Sequence, residues 1–137
     1  MDLGFLSYNV GYGARSDDLA RAVEERGFEN FWVGEHTHIP TSRITPYLGG
    51  SPLPKPYYHV ADPFLSLMAA AGATSRIKLG TGIALVPQHD PITVAKTVAT
   101  LDYLSNGRVV LGVGAGWNQD ECENHGVAYS RRGKALR

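Results

Sequence analysis

Four times along the chain a short apolar run gives way to a stretch whose apolar positions recur at helical spacing. Leu3-Gly4-Phe5-Leu6-Ser7-Tyr8 stops at Gly11-Tyr12-Gly13 and reads as a first buried strand. The helix after it is predicted to start at Ser16, whose hydroxyl can accept from a free backbone N–H. Asp17 and Asp18 sit on its positive end, and Gly27 can end it in the left-handed conformation. Phe31-Trp32-Val33-Gly34 is a second strand. Asp62-Pro63 then caps a helix on which Phe64, Leu67, Met68 and Ala71 recur at i, i+3, i+4 and i+7. Ile77 to Leu85 is a third strand, and Asp90-Pro91 opens a third helix with Val94, Val98 and Leu101 on one stripe and Asn106-Gly107 at its end. Val109 to Gly114 is a fourth strand, apolar throughout as expected where both faces are buried. Beyond Gly126 the chain turns basic and helix-like through Arg131, Arg132, Lys134 and Leu136, with no C-cap signal.

Strict β-α alternation predicts a parallel sheet with right-handed crossovers, either an open doubly wound sheet or a (β/α)8 barrel. The pattern Arg-x-x-Leu-Gly-x-Gly occurs at Arg76 to Gly82 and again at Arg108 to Gly114, a spacing of 32 residues that suits one βα unit. A complete barrel needs ~250 residues. The 137 residues here correspond to about four of its eight units. An open sheet suits the length but lacks a glycine-rich turn after its first strand. The segment from Thr37 to Val60, with Pro40, Pro46, Pro52, Pro54 and Pro56, is far longer than the ~4 to 6 residues of an ordinary connection and is expected to shape a pocket.

Composition narrows the partners. Thirteen Lys+Arg balance thirteen Asp+Glu, so the formal net charge is zero and no basic footprint for nucleic acid or an anionic membrane is present. The lone Cys122 can make neither an internal disulfide nor a zinc knuckle, which favours a reducing cytoplasm. No signal peptide is recognisable at the N-terminus, and no apolar run reaches the ~20 residues of a membrane span.

Candidate chemistry concentrates at strand ends. Gly112-Val113-Gly114-Ala115-Gly116-Trp117 lacks the third glycine of a dinucleotide fingerprint and follows the fourth strand instead of the first, so that reading is rejected. The glycines at 80, 82, 112, 114 and 116 serve either tight strand-helix packing or the approach of a flat ligand to the backbone. Glu35-His36-Thr37-His38 follows strand two, where an imidazole can move a proton or orient a cofactor and a neighbouring carboxylate can hold its charge state. Two other readings stay open: a His36/His38 metal pair of a barrel hydrolase, or loop histidines bonded to local backbone. His59, His89 and His125 are expected to be solvated, and the acids around Cys122 to raise its pKa and blunt it as a nucleophile. Trp117 is either a capping core aromatic or the wall of a planar-ligand pocket.

Several of these motifs, in this order, carry a resemblance. Gly27-Phe28 leading to Trp32-Val33-Gly34-Glu35-His36-Thr37-His38-Ile39-Pro40, Asp62-Pro63-Phe64, Thr74 to Gly82, Asp90-Pro91 with Ala95-Lys96, Ala99 to Arg108, and Gly112 to Asn118 resemble the luciferase-like monooxygenase family, particularly its deazaflavin (F420)-dependent branch. The resemblance covers nearly the whole chain. It implies a (β/α)8 barrel that binds FMN or F420 at the C-terminal ends of its strands and moves hydride or activates oxygen on a small-molecule substrate. It implies a non-proline cis peptide at Gly82-Ile83 against the ring, His36 as the proton-handling or orienting group with Glu35 tuning it, and Gly114, Ala115 and Trp117 beside the cofactor. The family's phosphate-binding loops lie in the second half of the barrel. Residues 1–137 are therefore expected to be the N-terminal half of such a domain, a fragment or a truncated form, and to self-associate through open sheet edges. A non-catalytic half-barrel is the remaining alternative.

Overall fold

The computed structural model describes residues 2–48, 50 and 52–137. Four parallel strands lie side by side in chain order: β1 (Gly4–Ser7), β2 (Asn30–Val33), β3 (Lys78–Thr81) and β4 (Val109–Val110). They alternate with α1 (Ser16–Glu25), α2 (Pro63–Ala73), α3 (Pro91–Leu104) and a short α4 (Gln119–Asn124), followed by α5 (Arg132–Ala135). The long segment after β2 is irregular apart from one 3₁₀ turn at Lys55–His59.

The register explains which face is core. Phe5, Phe31, Leu79 and Val109 form one row across the sheet, and Leu6, Trp32, Gly80 and Val110 form the next. Successive residues of a strand point to opposite faces. The first row meets the helices, where Phe31, Leu79, Leu67 and Ala20 are fully buried beside Val94 and Leu101. The second row belongs to the inner face of a barrel: Leu6 is 63% exposed and Val110 38%. Trp32 crosses this face over Gly80, whose absent Cβ would lie 2.1 Å from the indole.

The helix starts at Asp62 and Asp90 form as expected, each carboxylate accepting the backbone N–H three residues on at 2.8 Å. The expected Ser16 cap does not form. Arg15 occupies the cap position, and the Ser16 hydroxyl donates instead to Asn9 Oδ1 at 2.6 Å. The fourth strand also departs from expectation. Its ladder is two residues long, an isolated bridge joins Ala84 to Val113, and Leu111 and Val113 are 42% and 47% exposed. Among the described residues no strand pairs with β4 on the side away from β3, so its apolar positions stay partly open.

Glu24 ties α1 to the start of β3, accepting from the backbone N–H groups of Ser75, Arg76 and Ile77 at 2.7–3.3 Å. Desolvation raises its pKa, but the N–H donors of Ile77, Arg76 and Ser75 and the Arg76 charge outweigh it and hold the carboxyl below its usual range. Among the described residues no helix is long and apolar enough to cross a membrane.

Candidate functional site at the C-terminal strand ends

All four strands run the same way, so the segments leaving them gather at one end. There Ser7 and Tyr8, Gly34 to His36, Gly82-Ile83 and Gly116-Trp117 surround a cavity of about 440 Å³, closed on one side by Tyr57 and Val60 of the long segment. Its floor is apolar. Leu6 and Ile83 project there, and the Gly82-Ile83 peptide bond is cis, at the position the family resemblance implies. At Gly34 and Gly82 no neighbour lies closer than 3.4 Å to where a Cβ would stand, so the backbone itself forms part of the surface.

His36 stands at the polar edge. Its side chain is 9% exposed, and its two ring nitrogens have different partners. Trp117 Nε1–H donates to Nε2 at 3.3 Å. Nε2 therefore accepts, and Nδ1 carries the proton that it donates to Glu121 Oε2 at 2.8 Å. Glu121 is fully buried; its other oxygen accepts from the Thr37 backbone N–H at 3.0 Å. Tyr57 packs on His36 with ring centroids 5.2 Å apart, and Trp117 lies at 5.8 Å. The Tyr57 hydroxyl donates to Tyr47, and burial followed by the Tyr47 hydroxyl pushes its pKa upward, so it stays a neutral phenol.

The sequence-predicted residues fall into three groups. His36, Gly82, Ile83 and Trp117 line the cavity. Gly114 and Ala115 do not: a Cβ on Gly114 would lie 1.8 Å from Ile83 Cδ1, so this glycine makes room for the floor, and the Ala115 carbonyl accepts from the Cys122 thiol. Gly116 takes their place in the lining. Glu35 lines the cavity, yet its carboxylate turns away from His36, accepting from Leu85 N at 2.5 Å and pairing with His89 Nε2 at 2.7 Å. The expectation that Glu35 tunes His36 is corrected, and so is that of a solvated His89. The partner of His36 is Glu121.

His38 lies outside the lining. It contacts Thr37 Oγ1 at 3.0 Å and accepts from Asn124 Nδ2 at 2.9 Å, so the two histidines do not converge on one point. His125 also turns to Thr37 Oγ1, at 2.7 Å; burial, then the neighbouring His38, pushes its pKa down. Cys122 is fully buried, and its pKa is raised by that burial first, with Glu121 and Glu123 adding to it. Asp120 holds the long segment down, accepting from Thr45 Oγ1 at 2.6 Å and Thr45 N at 3.2 Å, and the Thr45 hydroxyl leads the bonds that lower its pKa. One turn of α4 thus anchors both the pocket wall and His36. The signal for this in the sequence is spacing: Trp117 and Glu121 lie four apart across a helix start.

A parallel βα array with its cavity at the C-terminal strand ends is the architecture of a partial (β/α)8 barrel. The chain belongs to the luciferase-like monooxygenase family, which residues 7–137 match. It is 48% identical over 140 residues to an uncharacterized protein of Mycobacterium tuberculosis, a match that takes in 100% of this chain and 50% of that one. The limonene 1,2-monooxygenase of Rhodococcus erythropolis is 36% identical over 110 residues, covering 80% of this chain and 24% of its own length. Among solved structures, the oxygenating constituent of 3,6-diketocamphane monooxygenase from Pseudomonas putida, in complex with FMN, superposes with a TM-score of 0.77 at 23% identity, over 100% of this chain and 36% of that one. The coenzyme F420 dependent tetrahydromethanopterin reductase of Methanopyrus kandleri gives 0.65 at 26% identity, over 91% and 30%. The chain spans about half the length of its mycobacterial relative and less of the others.

Proposed function

We propose that this chain supplies the ring-binding half of a flavin- or F420-dependent oxidoreductase, a monooxygenase or hydride-transfer enzyme acting on a small organic molecule. The observation that carries the reading is the His36-Trp117 pair held at the edge of an apolar floor made by Leu6 and the Gly82-Ile83 backbone. A planar ring fits this site: the floor is flat where glycines replace side chains, and no lysine or arginine is found in the described lining to demand a charge. When bound, FMN or F420 would supply the hydride or electron transfer. The chain's own residues do the rest. Gly82 and Ile83 support the ring, Tyr57 and Val60 exclude water, and His36 Nε2, once released from the Trp117 N–H that it accepts, takes or returns a proton at the reacting edge while Glu121 holds the ring from behind through Nδ1.

The metal-hydrolase alternative requires His36 and His38 on one centre, and their separate partners count against it. Titrating the purified chain with FMN and, separately, F420 tests the reading through Trp117 fluorescence and the cofactor's visible spectrum. Saturable quenching with a perturbed absorption band is expected for at least one of them. Absence of saturable binding by both cofactors in chain whose circular dichroism is native would overturn it.

The same proposal extends to assembly and compartment. Among the described residues β1 pairs only with β2 and β4 only with β3, so both edges are free for pairing. A second copy related by a twofold axis along the barrel would set each β4 beside the other copy's β1, parallel at both seams, and cover Leu6, Leu111 and Val113. Sedimentation of the isolated chain is expected to give a dimer or larger species. A monomer that unfolds cooperatively counts against the free edges as pairing surfaces. The lone buried thiol suits a cytoplasmic setting.

A further inference from the structure

Glu121 stands 85 residues from His36 in the sequence, with its carboxylate fully buried. A buried carboxylate is tolerated only when its oxygens are hydrogen-bonded, and here the bonds are divided: Oε1 accepts from the Thr37 backbone N–H at 3.0 Å and from the Thr37 hydroxyl at 3.4 Å, and Oε2 bonds His36 Nδ1 at 2.8 Å. The Thr37 bond cannot reverse, because a backbone amide only donates.

We infer that Glu121 is the positioning residue of the site, fixing His36 in the tautomer with the proton on Nδ1 so that Nε2 is the acceptor nitrogen at the cavity edge, its lone pair engaged by the Trp117 indole N–H in this structure. This deepens the proposed function, resting on His36 as its proton-handling group. It assigns Glu121 the task of a carboxylate behind a catalytic imidazole: setting the tautomer and ring orientation, and stabilising the positive charge when Nε2 takes up a proton. Trp117 is a follower in this arrangement. Its indole N–H finds an acceptor at Nε2 because Glu121 has left that nitrogen unprotonated.

Glu121→Gln turns the assignment into a spectroscopic outcome. The amide oxygen must stay with the Thr37 N–H, which puts the NH2 group against Nδ1. Nδ1 must then accept, and the proton moves to Nε2. Long-range ¹H–¹⁵N correlation spectra of the histidine-labelled chain read this directly, without cofactor. The wild-type His36 is expected to show the Nδ1–H pattern, and Glu121→Gln to invert the tautomer ratio. An unchanged ratio in folded Glu121→Gln would overturn the assignment.

Should that variant fail to fold, Trp117→Phe decides. It removes the Nε2 donor and leaves Glu121 in place, so the Nδ1–H pattern is expected to persist; its loss would make Trp117, not Glu121, the determinant. These outcomes are independent of the functional reading. Failure of FMN and F420 to bind a chain with the expected tautomer response would sink the cofactor proposal and leave the positioning role, and the converse result would do the reverse.

Discussion

His36→Ala is expected to lower turnover by about 10² to 10⁴-fold, the usual contribution of a positioned acid or base, in a complete barrel made by joining this chain to the C-terminal half of its mycobacterial relative. The imidazole sits at a strand end and not in the helix-facing core, so the fold is expected to survive. Removal does leave Glu121 Oε2 without its donor inside a buried site. His36→Asn addresses this, because its side-chain amide can restore a donor to Glu121 while offering no titratable nitrogen to the cavity. Both variants should therefore lose turnover to a similar degree, with His36→Asn closer to wild-type in thermal stability. His38→Ala should change turnover little, since that ring contacts Thr37 and Asn124 outside the cavity. Equal and severe losses at His36 and His38, with stoichiometric metal in the purified protein, would instead establish the hydrolase reading. Near-wild-type turnover of His36→Asn would return His36 to a structural histidine.

Much of this architecture could be read before any coordinates, because the signals for it are local. The Asp-Pro pairs at 62 and 90 cap helices through the N–H three residues on, and the Phe64, Leu67, Met68, Ala71 stripe faces the core by period alone. What escaped depends on distant partners. Ser16 has the right residue type for a cap, but Asn9, held at φ 52°, takes its hydroxyl. Glu35 is adjacent to His36 in the chain, yet its carboxylate is taken by the Leu85 N–H and His89, while His36 bonds Glu121 and Trp117. Glu121 stands among Asp120, Cys122 and Glu123, and the sequence relates these acids to the Cys122 thiol until the first turn of α4 is seen to bond the loop after β2. A carboxylate's role was thus legible in kind and misassigned in position.

The repeated motif separates sequence similarity from structural equivalence, and its two arginines make a second prediction with a large effect. Arg76 is exposed, and among the described residues its guanidinium hydrogen-bonds only the Glu24 carbonyl, at 3.3 Å. Arg108 is 8% exposed and donates five hydrogen bonds: to Ser105 O at 2.7 Å, Thr74 Oγ1 at 2.8 Å, Ile77 O at 3.2 Å, Ala71 O at 2.9 Å and Thr74 O at 3.2 Å. It thereby closes the C-terminal end of α2, satisfies the entry to β3 and joins both to the end of α3. Burial pushes its pKa down, with the Glu24 charge opposing, but a guanidinium starts so high that it stays charged. Arg108→Ala strips donors from several carbonyls at once, each costing about 1–3 kcal/mol where water cannot replace the donor. The expected loss is about 3 kcal/mol or more, a large share of the ~5–15 kcal/mol that holds an ordinary domain folded. Arg108→Lys should recover only part of it, because one ammonium cannot span acceptors that the planar fork reaches from three nitrogens. Arg76→Ala, at the matching place in the motif, should stay within about 0.5 kcal/mol of wild-type. Urea unfolding of the three variants, with midpoints compared at unchanged m, measures the difference. Equal shifts for Arg76→Ala and Arg108→Ala would mean that the Arg108 network does not hold α2, α3 and β3 together.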